Sequence, residues 1–228
     1  MMRVPGSTSS LQKEKAEGRR IRIVYSPLES LRLAKENPEK KVVFLAVGFE
    51  TTSPAIATTL LQAHDEGIQN LYFLNSQKRV PPALRALLQS ERVQIHGFIL
   101  PGHVCTILGR EPFLFLSEEF KRPAVIAGFE PLDLLQALWM LVNQVEKEQA
   151  SVEIQYTRVV RDQGNPVAVS KIEQAFQQDE ALWRGLGRIP GSGCRLRGPF
   201  SSMDARRIEV DVEPPREHPG CLCGEILQ

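Results

Sequence analysis

Apolar and polar positions recur along the chain with two different periods. Short runs of β-branched and aromatic residues predict strands, and longer stretches with apolar residues at helical spacing predict helices. The predicted strands cover residues 21–25, 42–49, 71–75, 95–100, 124–129 and 152–160. The predicted helices cover residues 28–36, 54–64, 82–89, 106–120, 132–148 and 167–176. Because strands and helices alternate, the pattern predicts an α/β fold with right-handed crossovers and a mostly parallel sheet.

A weak internal repeat divides this pattern into two similar halves. Residues 48–50 and 128–130 both read Gly-Phe-Glu, and each copy follows an apolar strand and precedes a helix. We therefore expect two similar parallel-sheet βαβαβα units, at residues 1–92 and 93–182, although a tripeptide alone leaves a duplication open. In residues 183–228 glycine and proline become frequent and helical periodicity ends, so we interpret them as an irregular C-terminal region.

The composition limits the classes of function. The chain has 228 residues, of which 42% are hydrophobic and 24% are charged, as is typical of a globular protein with a core. Its 28 Lys and Arg against 27 Asp and Glu give a formal net charge of +1, which does not indicate a nucleic-acid partner. No apolar run approaches the roughly 18 residues of a membrane span, and the N-terminus lacks an apolar signal region. We therefore expect a cytoplasmic protein without a membrane partner.

The first candidate for chemistry is the turn that follows the predicted strand at residues 42–49. In open parallel sheets, ligands bind beyond the carboxyl ends of the strands. Here Glu50 offers a carboxylate, and Thr51 and Thr52 offer hydroxyls beside a helix N-terminus. A purely structural alternative is a capped strand-to-helix turn in which Glu50 interacts favourably with the helix dipole. The residues alone leave both interpretations open.

The second candidate is the Pro-Gly-His-Val-Cys segment at residues 101–105. His103 could exchange a proton, bind a metal or orient the Cys105 thiol, whereas most buried cysteines are inert. Cys221 and Cys223 form a closely spaced thiol pair, but an iron–sulfur cluster needs about four thiolates. The sequence carries no dinucleotide-binding or P-loop glycine fingerprint. Lys78 and Arg79 are interpreted as a solvated basic turn.

Nine short blocks, taken in order, resemble consecutive motifs of the HypD family, which acts in the maturation of [NiFe]-hydrogenases. They are Val-Pro-Gly-Ser at 4–7, Val-Tyr-Ser-Pro-Leu at 24–28, Gly-Phe-Glu-Thr-Thr at 48–52, Val-Pro-Pro-Ala at 80–83, Pro-Gly-His-Val at 101–104, Gly-Phe-Glu-Pro-Leu-Asp at 128–133, Tyr-Thr-Arg-Val-Val at 156–160, Trp-Arg-Gly-Leu-Gly at 183–187 and Cys-Leu-Cys-Gly-Glu at 221–225. The resemblance implies two α/β domains around a cleft and a third domain that holds a [4Fe-4S] cluster. It also implies a scaffold on which Fe(CN)2(CO) is built, with a HypC-type chaperone and a HypE-type cyanide donor as partners.

Particular residues inherit expected roles from this resemblance. In the family, the Gly-Phe-Glu-Thr-Thr and Pro-Gly-His-Val segments line the cleft. The resemblance therefore implies that the side chains there hold the iron fragment or relay protons, namely Glu50, Thr51, Thr52 and His103. It makes Cys223 the first ligand of the cluster, with Cys221 beside it. Cys105 and Cys194 stand where serine and leucine are common in the family, so neither inherits a role.

The sequence also departs from the family pattern. Nothing here corresponds to the family's Gly-Pro-Gly-Cys-Pro-Val-Cys segment, its Cys-Gly-Gly motif or the remainder of its cysteine-rich C-terminus. We therefore expect a HypD chain that is truncated at both ends and inactive alone, with any redox role confined to the full-length family. Two alternatives stay open: a stand-alone α/β enzyme with Glu50 and His103 as an acid–base pair, or an inert interaction remnant.

Overall fold

The computed structural model describes residues 2–4, 6–90, 94–211 and 222–223, and it confirms a mixed α/β fold with parallel sheets. The first elements are α1 (Leu11–Ala16), α2 (Pro27–Glu36), β1 (Val42–Gly48), α3 (Ser53–Asp65), β2 (Leu71–Gln77) and α4 (Val80–Leu88). They continue with β3 (Phe98–Pro101), α5 (Gly102–Leu108), α6 (Phe115–Glu118), β4 (Ala124–Ala127), α7 (Pro131–Glu146) and β5 (Val152–Ile154). The last are α8 (Pro166–Ala175), β6 (Phe176–Trp183) and β7 (Gly187–Leu196), with short 3-10 helices at Glu111–Phe113, Gly198–Met203 and Ala205–Arg207.

The parallel strands are arranged in two separate sheets. β1 pairs with β2, with Val42 opposite Leu71 and Gly48 opposite Gln77. β3, β4 and β5 form the second sheet, in which β4 lies in the centre and is buried along its whole length. A central parallel strand is covered on both faces, which is why its sequence is entirely apolar. The carboxyl end of β1 leads into a turn before α3. The end of β3 passes directly into α5, so the Pro-Gly-His-Val-Cys segment lies at the end of β3 and in the first part of a helix that was predicted to begin at residue 106.

The predicted strand at residues 21–25 is wrong. These described residues are not part of a strand, and Ile23 and Tyr25 are 50% and 95% exposed. The backbone N–H of Tyr25 donates to Glu29 Oε1 at 3.2 Å, and the Ser26 hydroxyl caps α2 by accepting from Leu28 N. The apolar run therefore leads into a helix cap instead of pairing with a neighbouring strand.

Two further predicted elements are shorter than expected. The single helix predicted at residues 106–120 is broken, because α5 ends before Gly109, which adopts a φ of +79°. A Cβ at Gly109 would lie 2.1 Å from the carbonyl oxygen of Asp162, so only glycine fits this close approach. The strand predicted at residues 152–160 stops at Ile154, because the next two backbone N–H groups both donate to the carbonyl of Ile126.

The hairpin β6–β7 was not predicted, and it spans the expected boundary between residues 182 and 183. Its strands pair in antiparallel fashion from Phe176 opposite Leu196 to Trp183 opposite Gly187. Glycine, proline and charged residues hide the strand pattern in this segment. Residues of the hairpin and of the turn after it pack in the same core as Leu60 of α3 and Phe73 of β2.

Helix α8 connects the two sheets, since it packs against both α3 and α5. The backbone N–H of Asn165, which caps α8, donates to the carbonyl of Ile107 in α5 at 2.9 Å. Because α3 follows β1 and α5 follows β3, these contacts of α8 join the two parts of the structure that contain the candidate residues. Within the described ranges, none of the helices is long and apolar enough to span a bilayer.

Candidate functional site

The turn after β1 is held by hydroxyl groups. Gly48 adopts a φ of +149°, and a Cβ there would lie 2.2 Å from Thr52 Oγ1. The Thr52 and Ser53 hydroxyls both donate to the carbonyl of Phe49, at 3.0 and 3.2 Å. Thr51 is exposed. The Thr52 hydroxyl therefore serves the turn itself, whereas the Thr51 side chain faces solvent.

Glu50 is buried at this turn with only 4% of its surface exposed. Its Oε1 accepts from the backbone N–H of Val80 at 2.9 Å, and its Oε2 has no hydrogen-bond partner among the described residues. Burial raises the pKa of the Glu50 carboxyl, and backbone N–H groups and the positive charge of Arg79 only partly oppose this rise. A carboxyl group in this setting holds its proton more tightly than an exposed glutamate does.

The polar residues beside Glu50 come from the carboxyl end of β2. Gln77 is 1% exposed, and its Nε2 donates to Ser53 Oγ at 2.6 Å, while its Oε1 lacks a partner within the described chain. The backbone N–H of Lys78 donates to the carbonyl of Gly48 at 2.9 Å. Arg79 donates from Nη1 to the carbonyl of Gly191 at 2.8 Å. Lys78 and Arg79 are thus bound to the turn and the hairpin, and their interpretation as a solvated loop is wrong.

The two described thiols near Glu50 are not reactive groups. Burial, followed by the negative charge of Glu50, raises the pKa of Cys105 to about 12. Burial also raises the pKa of Cys194 to about 11, against the opposing charge of Arg79. Both thiols therefore stay protonated at neutral pH and are poor nucleophiles and metal ligands. In its ionised form Glu50 raises the pKa of both thiols, so the turn after β1 lies near α5 and β7.

His103 lies exposed in the first turn of α5. Its ring stacks on Phe129, with the two centroids 4.3 Å apart and the ring planes 37° from parallel. The structure therefore brings together the Pro-Gly-His segment and the second Gly-Phe-Glu segment, at adjacent strand ends. Among the described residues, no hydrogen bond or ion pair joins His103 to Glu50, so nothing couples the two as an acid–base pair.

A buried network that the residue patterns did not reveal holds the turn after β4. The backbone N–H of Gly128 donates to Gln155 Oε1 at 3.1 Å, and Gln155 Nε2 donates to Asp133 Oδ1 at 2.9 Å. Arg158 Nη2 donates to Asp133 Oδ2 at 2.7 Å. The hydrogen bond from Arg158, followed by that from Gln155, lowers the pKa of Asp133. Asp133 and Arg158 lie in two of the blocks that resemble HypD motifs, and this resemblance was the only feature of the sequence that pointed to them.

The predicted cluster ligands fall at the edge of the described chain. Cys221 lies outside the described residues, and Cys223 is half-buried within the described pair 222–223. In the ranges that the structure describes, no group of three or more His, Cys, Asp or Glu side chains is placed to hold a metal ion. The described residues therefore do not fit a four-thiolate cluster.

Comparison with known proteins covers the whole chain. The sequence profile of a family described as "HypD: Hydrogenase formation hypA family" matches residues 1–228. Hydrogenase maturation factor HypD2 of Bradyrhizobium diazoefficiens is 43% identical over 237 residues, which cover 100% of this chain and 62% of that protein. Hydrogenase maturation factor HypD of Escherichia coli is 45% identical over 231 residues, with coverage of 99% and 61%. That of Rhodobacter capsulatus is 42% identical over 232 residues, with coverage of 99% and 62%.

The chain thus spans less than two thirds of the length of these curated relatives. The matched range includes both candidate turns, at residues 48–52 and 101–104, and the blocks around Asp133 and Arg158. Profile and relatives agree from one end of the chain to the other. This chain belongs to the HypD family.

Proposed function

We propose that this chain takes part in hydrogenase maturation, as part of a cytoplasmic scaffold on which the Fe(CN)2(CO) group is assembled. Family membership and the names of the relatives support this proposal. The observation that carries it is the placement of Glu50 and His103 at the carboxyl ends of β1 and β3, where α/β folds bind ligands.

The proposed roles follow from the state of each side chain. Glu50 is buried and its pKa is raised, which favours the neutral carboxyl, and in that form it can donate a hydrogen bond to a cyanide nitrogen of the iron group. His103 is exposed and exchanges protons with solvent or with a partner. Thr51 presents an exposed hydroxyl for hydrogen bonding, whereas Thr52 acts indirectly by holding the turn.

We further propose that a HypC-type chaperone delivers the iron and that a HypE-type protein donates cyanide. A [4Fe-4S] cluster would supply electrons in the longer relatives, with Cys223 as one ligand and Cys221 beside it. Because the described residues do not fit that cluster, the remaining ligands are proposed to come from outside this chain. The chain alone is therefore proposed to be inactive.

The test replaces the matching residues of the Escherichia coli relative by this chain and measures hydrogenase activity in a host that lacks its own HypD. We expect Glu50→Gln and His103→Ala each to lower activity by about tenfold or more, because misplaced or missing groups at a reacting centre cost factors of this order. Cys105→Ser is the matched control at the same site, and it is expected to leave activity unchanged because this thiol is buried and protonated.

Soluble protein levels are compared by immunoblot, so that loss of folding is separated from loss of function. Full hydrogenase activity in both the Glu50 and His103 variants would contradict the proposed site. A severe defect in Cys105→Ser would show that the thiol has a role that its burial does not suggest.

A further inference from the structure

The Tyr-Thr-Arg segment at residues 156–158 has no part in the proposed chemistry, yet the Tyr156 ring lies beside both the start of α5 at Gly102, which we call the turn after β3, and the turn after β4 at Gly128. A Cβ placed on Gly102 would lie 2.9 Å from Tyr156 Cδ1, and a Cβ on Gly128 would lie 2.9 Å from Tyr156 Cδ2. Opposite edges of one ring therefore touch both turns. The nearest atoms are others: a Cβ on Gly102 would lie 2.3 Å from the Ala127 carbonyl oxygen, and one on Gly128 would lie 2.1 Å from Asp133 Oδ2. Only glycine therefore fits at either residue, and the Tyr156 ring packs beside these closer contacts.

Arg158 connects the Tyr156 ring to the turn that contains Phe129. Its guanidinium lies 5.0 Å from the centre of the Tyr156 ring, and its Nη2 donates to Asp133 Oδ2. From Asp133 the hydrogen bonds continue through the Gln155 amide to the backbone N–H of Gly128. The backbone next to Phe129 is thereby fixed by a continuous set of contacts that begins at the exposed edge of Arg158.

The stacked pair of His103 and Phe129 has little other support. His103 is exposed and Phe129 is 57% exposed, so surrounding side chains do not enclose the two rings. Each of the two rings belongs to the residue directly after one of the two glycines. His103 follows Gly102, and Phe129 follows Gly128. The distance between the rings therefore depends on the distance between the two backbone segments, to which the pairing of Pro101 with Ala127 and the contacts of Tyr156 both contribute.

We infer that Tyr156 and Arg158 are positioning residues that lock the turns after β3 and β4 together and so hold the His103 imidazole against Phe129. The inference rests on the proposed function only for what His103 does once it is positioned. The positioning itself is a property of the chain and can be measured on the chain alone.

The test uses NMR of this chain labelled with ¹³C at the histidine rings. An aromatic ring shifts the resonances of protons stacked on it, so the Phe129 ring shifts the signal of the His103 ring. The variant Phe129→Leu shows where the His103 signal lies when this shift is completely lost. His103→Gln assigns the signal. We expect Tyr156→Leu and Arg158→Met to move the His103 signal towards its position in Phe129→Leu. His64, which packs edge-on against Phe200 at 5.0 Å, is an internal reference that should not move.

Tyr156→Phe is the matched control, since it keeps the ring and is expected to leave the His103 signal in place. An unmoved His103 signal in both Tyr156→Leu and Arg158→Met would overturn the inference, whatever happens to thermal stability. If Tyr156→Leu does not fold, Arg158→Met decides alone, because the Arg158 side chain is 58% exposed and its replacement removes the ion pair with Asp133 but no buried apolar side chain.

The same variants separate this inference from the proposed function. Placed in the Escherichia coli chimera, Tyr156→Leu and Arg158→Met should lower hydrogenase activity if His103 acts in maturation. A moved His103 signal with unchanged activity would support the positioning and remove His103 from the proposed function.

Discussion

Glu50 combines burial with incomplete hydrogen bonding. Its Oε1 has one backbone donor, and its Oε2 has none within the described residues. A buried charge without compensating donors is costly, so the neutral acid is favoured and burial raises the pKa of Glu50 above its ordinary value of 4.5. The folded chain therefore binds this proton more tightly than the unfolded chain. The resulting stabilisation is fully present below pH 4.5 and is lost as the pH rises through the pKa of the folded state.

Glu50→Gln tests this linkage directly, because glutamine keeps the shape and carries no charge at any pH. We expect the variant to be more stable than the wild type at pH 8, by about 1 kcal/mol, and the difference to shrink towards pH 4.5. Urea unfolding across this pH range measures it. Glu146→Gln, at an exposed position of α7, is the control and should show no such trend. Parallel stability curves for wild type and Glu50→Gln would contradict the raised pKa.

Among the elements, the hairpin β6–β7 holds the basic residues near Glu50 in place. The Trp183 indole N–H donates to Ser192 Oγ at 2.8 Å, and Ser192 Oγ donates to the carbonyl of Ile189. The carbonyl of Ser192 accepts from the backbone N–H of Arg79 at 2.8 Å. The Trp183 ring lies 6.1 Å from the ring of Phe49 in the turn after β1. One buried serine thus connects the hairpin both to its own tryptophan and to the site.

Ser192→Ala should therefore loosen the hairpin without removing a large side chain. We expect a loss of about 1–2 kcal/mol in the free energy of unfolding, because the indole N–H and the Ile189 carbonyl lose their shared partner. We also expect a red shift of Trp183 fluorescence, measured in a Trp139→Phe background that removes the other tryptophan. Ser202→Ala, at an exposed position, is the control. Unchanged emission and stability in Ser192→Ala would show that the hairpin does not depend on this serine.

At the scale of the whole molecule, apolar surface remains on the outside of both sheets. Helix α7 buries Ala137 on one side, while Leu135, Trp139 and Val142 on the other side are 62%, 66% and 51% exposed. A helix that is apolar nearly all round is typical of a buried layer. Val47 of β1 is likewise 53% exposed, although parallel sheets are usually covered on both faces. Contiguous apolar surface of this kind favours association of the isolated chain.

Charges placed on the outer side of α7 should therefore improve the solution behaviour of the chain. We expect Leu135→Lys and Val142→Lys to lower the sedimentation coefficient towards that of a monomer and to leave the circular dichroism spectrum unchanged. Asn143→Lys adds the same charge in place of a polar residue of the same helix and controls for charge alone. A wild-type chain that is monomeric across a dilution series would contradict the expectation.

The sequence predicted those features that are determined by residues close to one another along the chain. The strand β1 was predicted because strands favour runs of β-branched and aromatic residues, and the two Gly-Phe-Glu segments were recognised because each follows such a run. The partners of the site were not visible. Asn75 donates to the carbonyl of Cys194, 119 residues away, and Arg79 bonds to Gly191, 112 residues away. Local propensity carries no information about such contacts, so residue types could indicate Glu50 and His103 but not what surrounds them.

The composition of the two cores has a consequence for how the chain is made. Buried members of the core around β1 and β2 come from residues 31–73 and again from 175–203, whereas those of the core between β3 and α5 come from the uninterrupted stretch 98–160. Because a ribosome releases the chain from its N-terminus, the core that starts later is complete earlier. The core around β1 and β2 therefore stays incomplete until Phe200 has emerged from the ribosome. During that interval apolar side chains of β1 and β2 lack part of the core that later covers them.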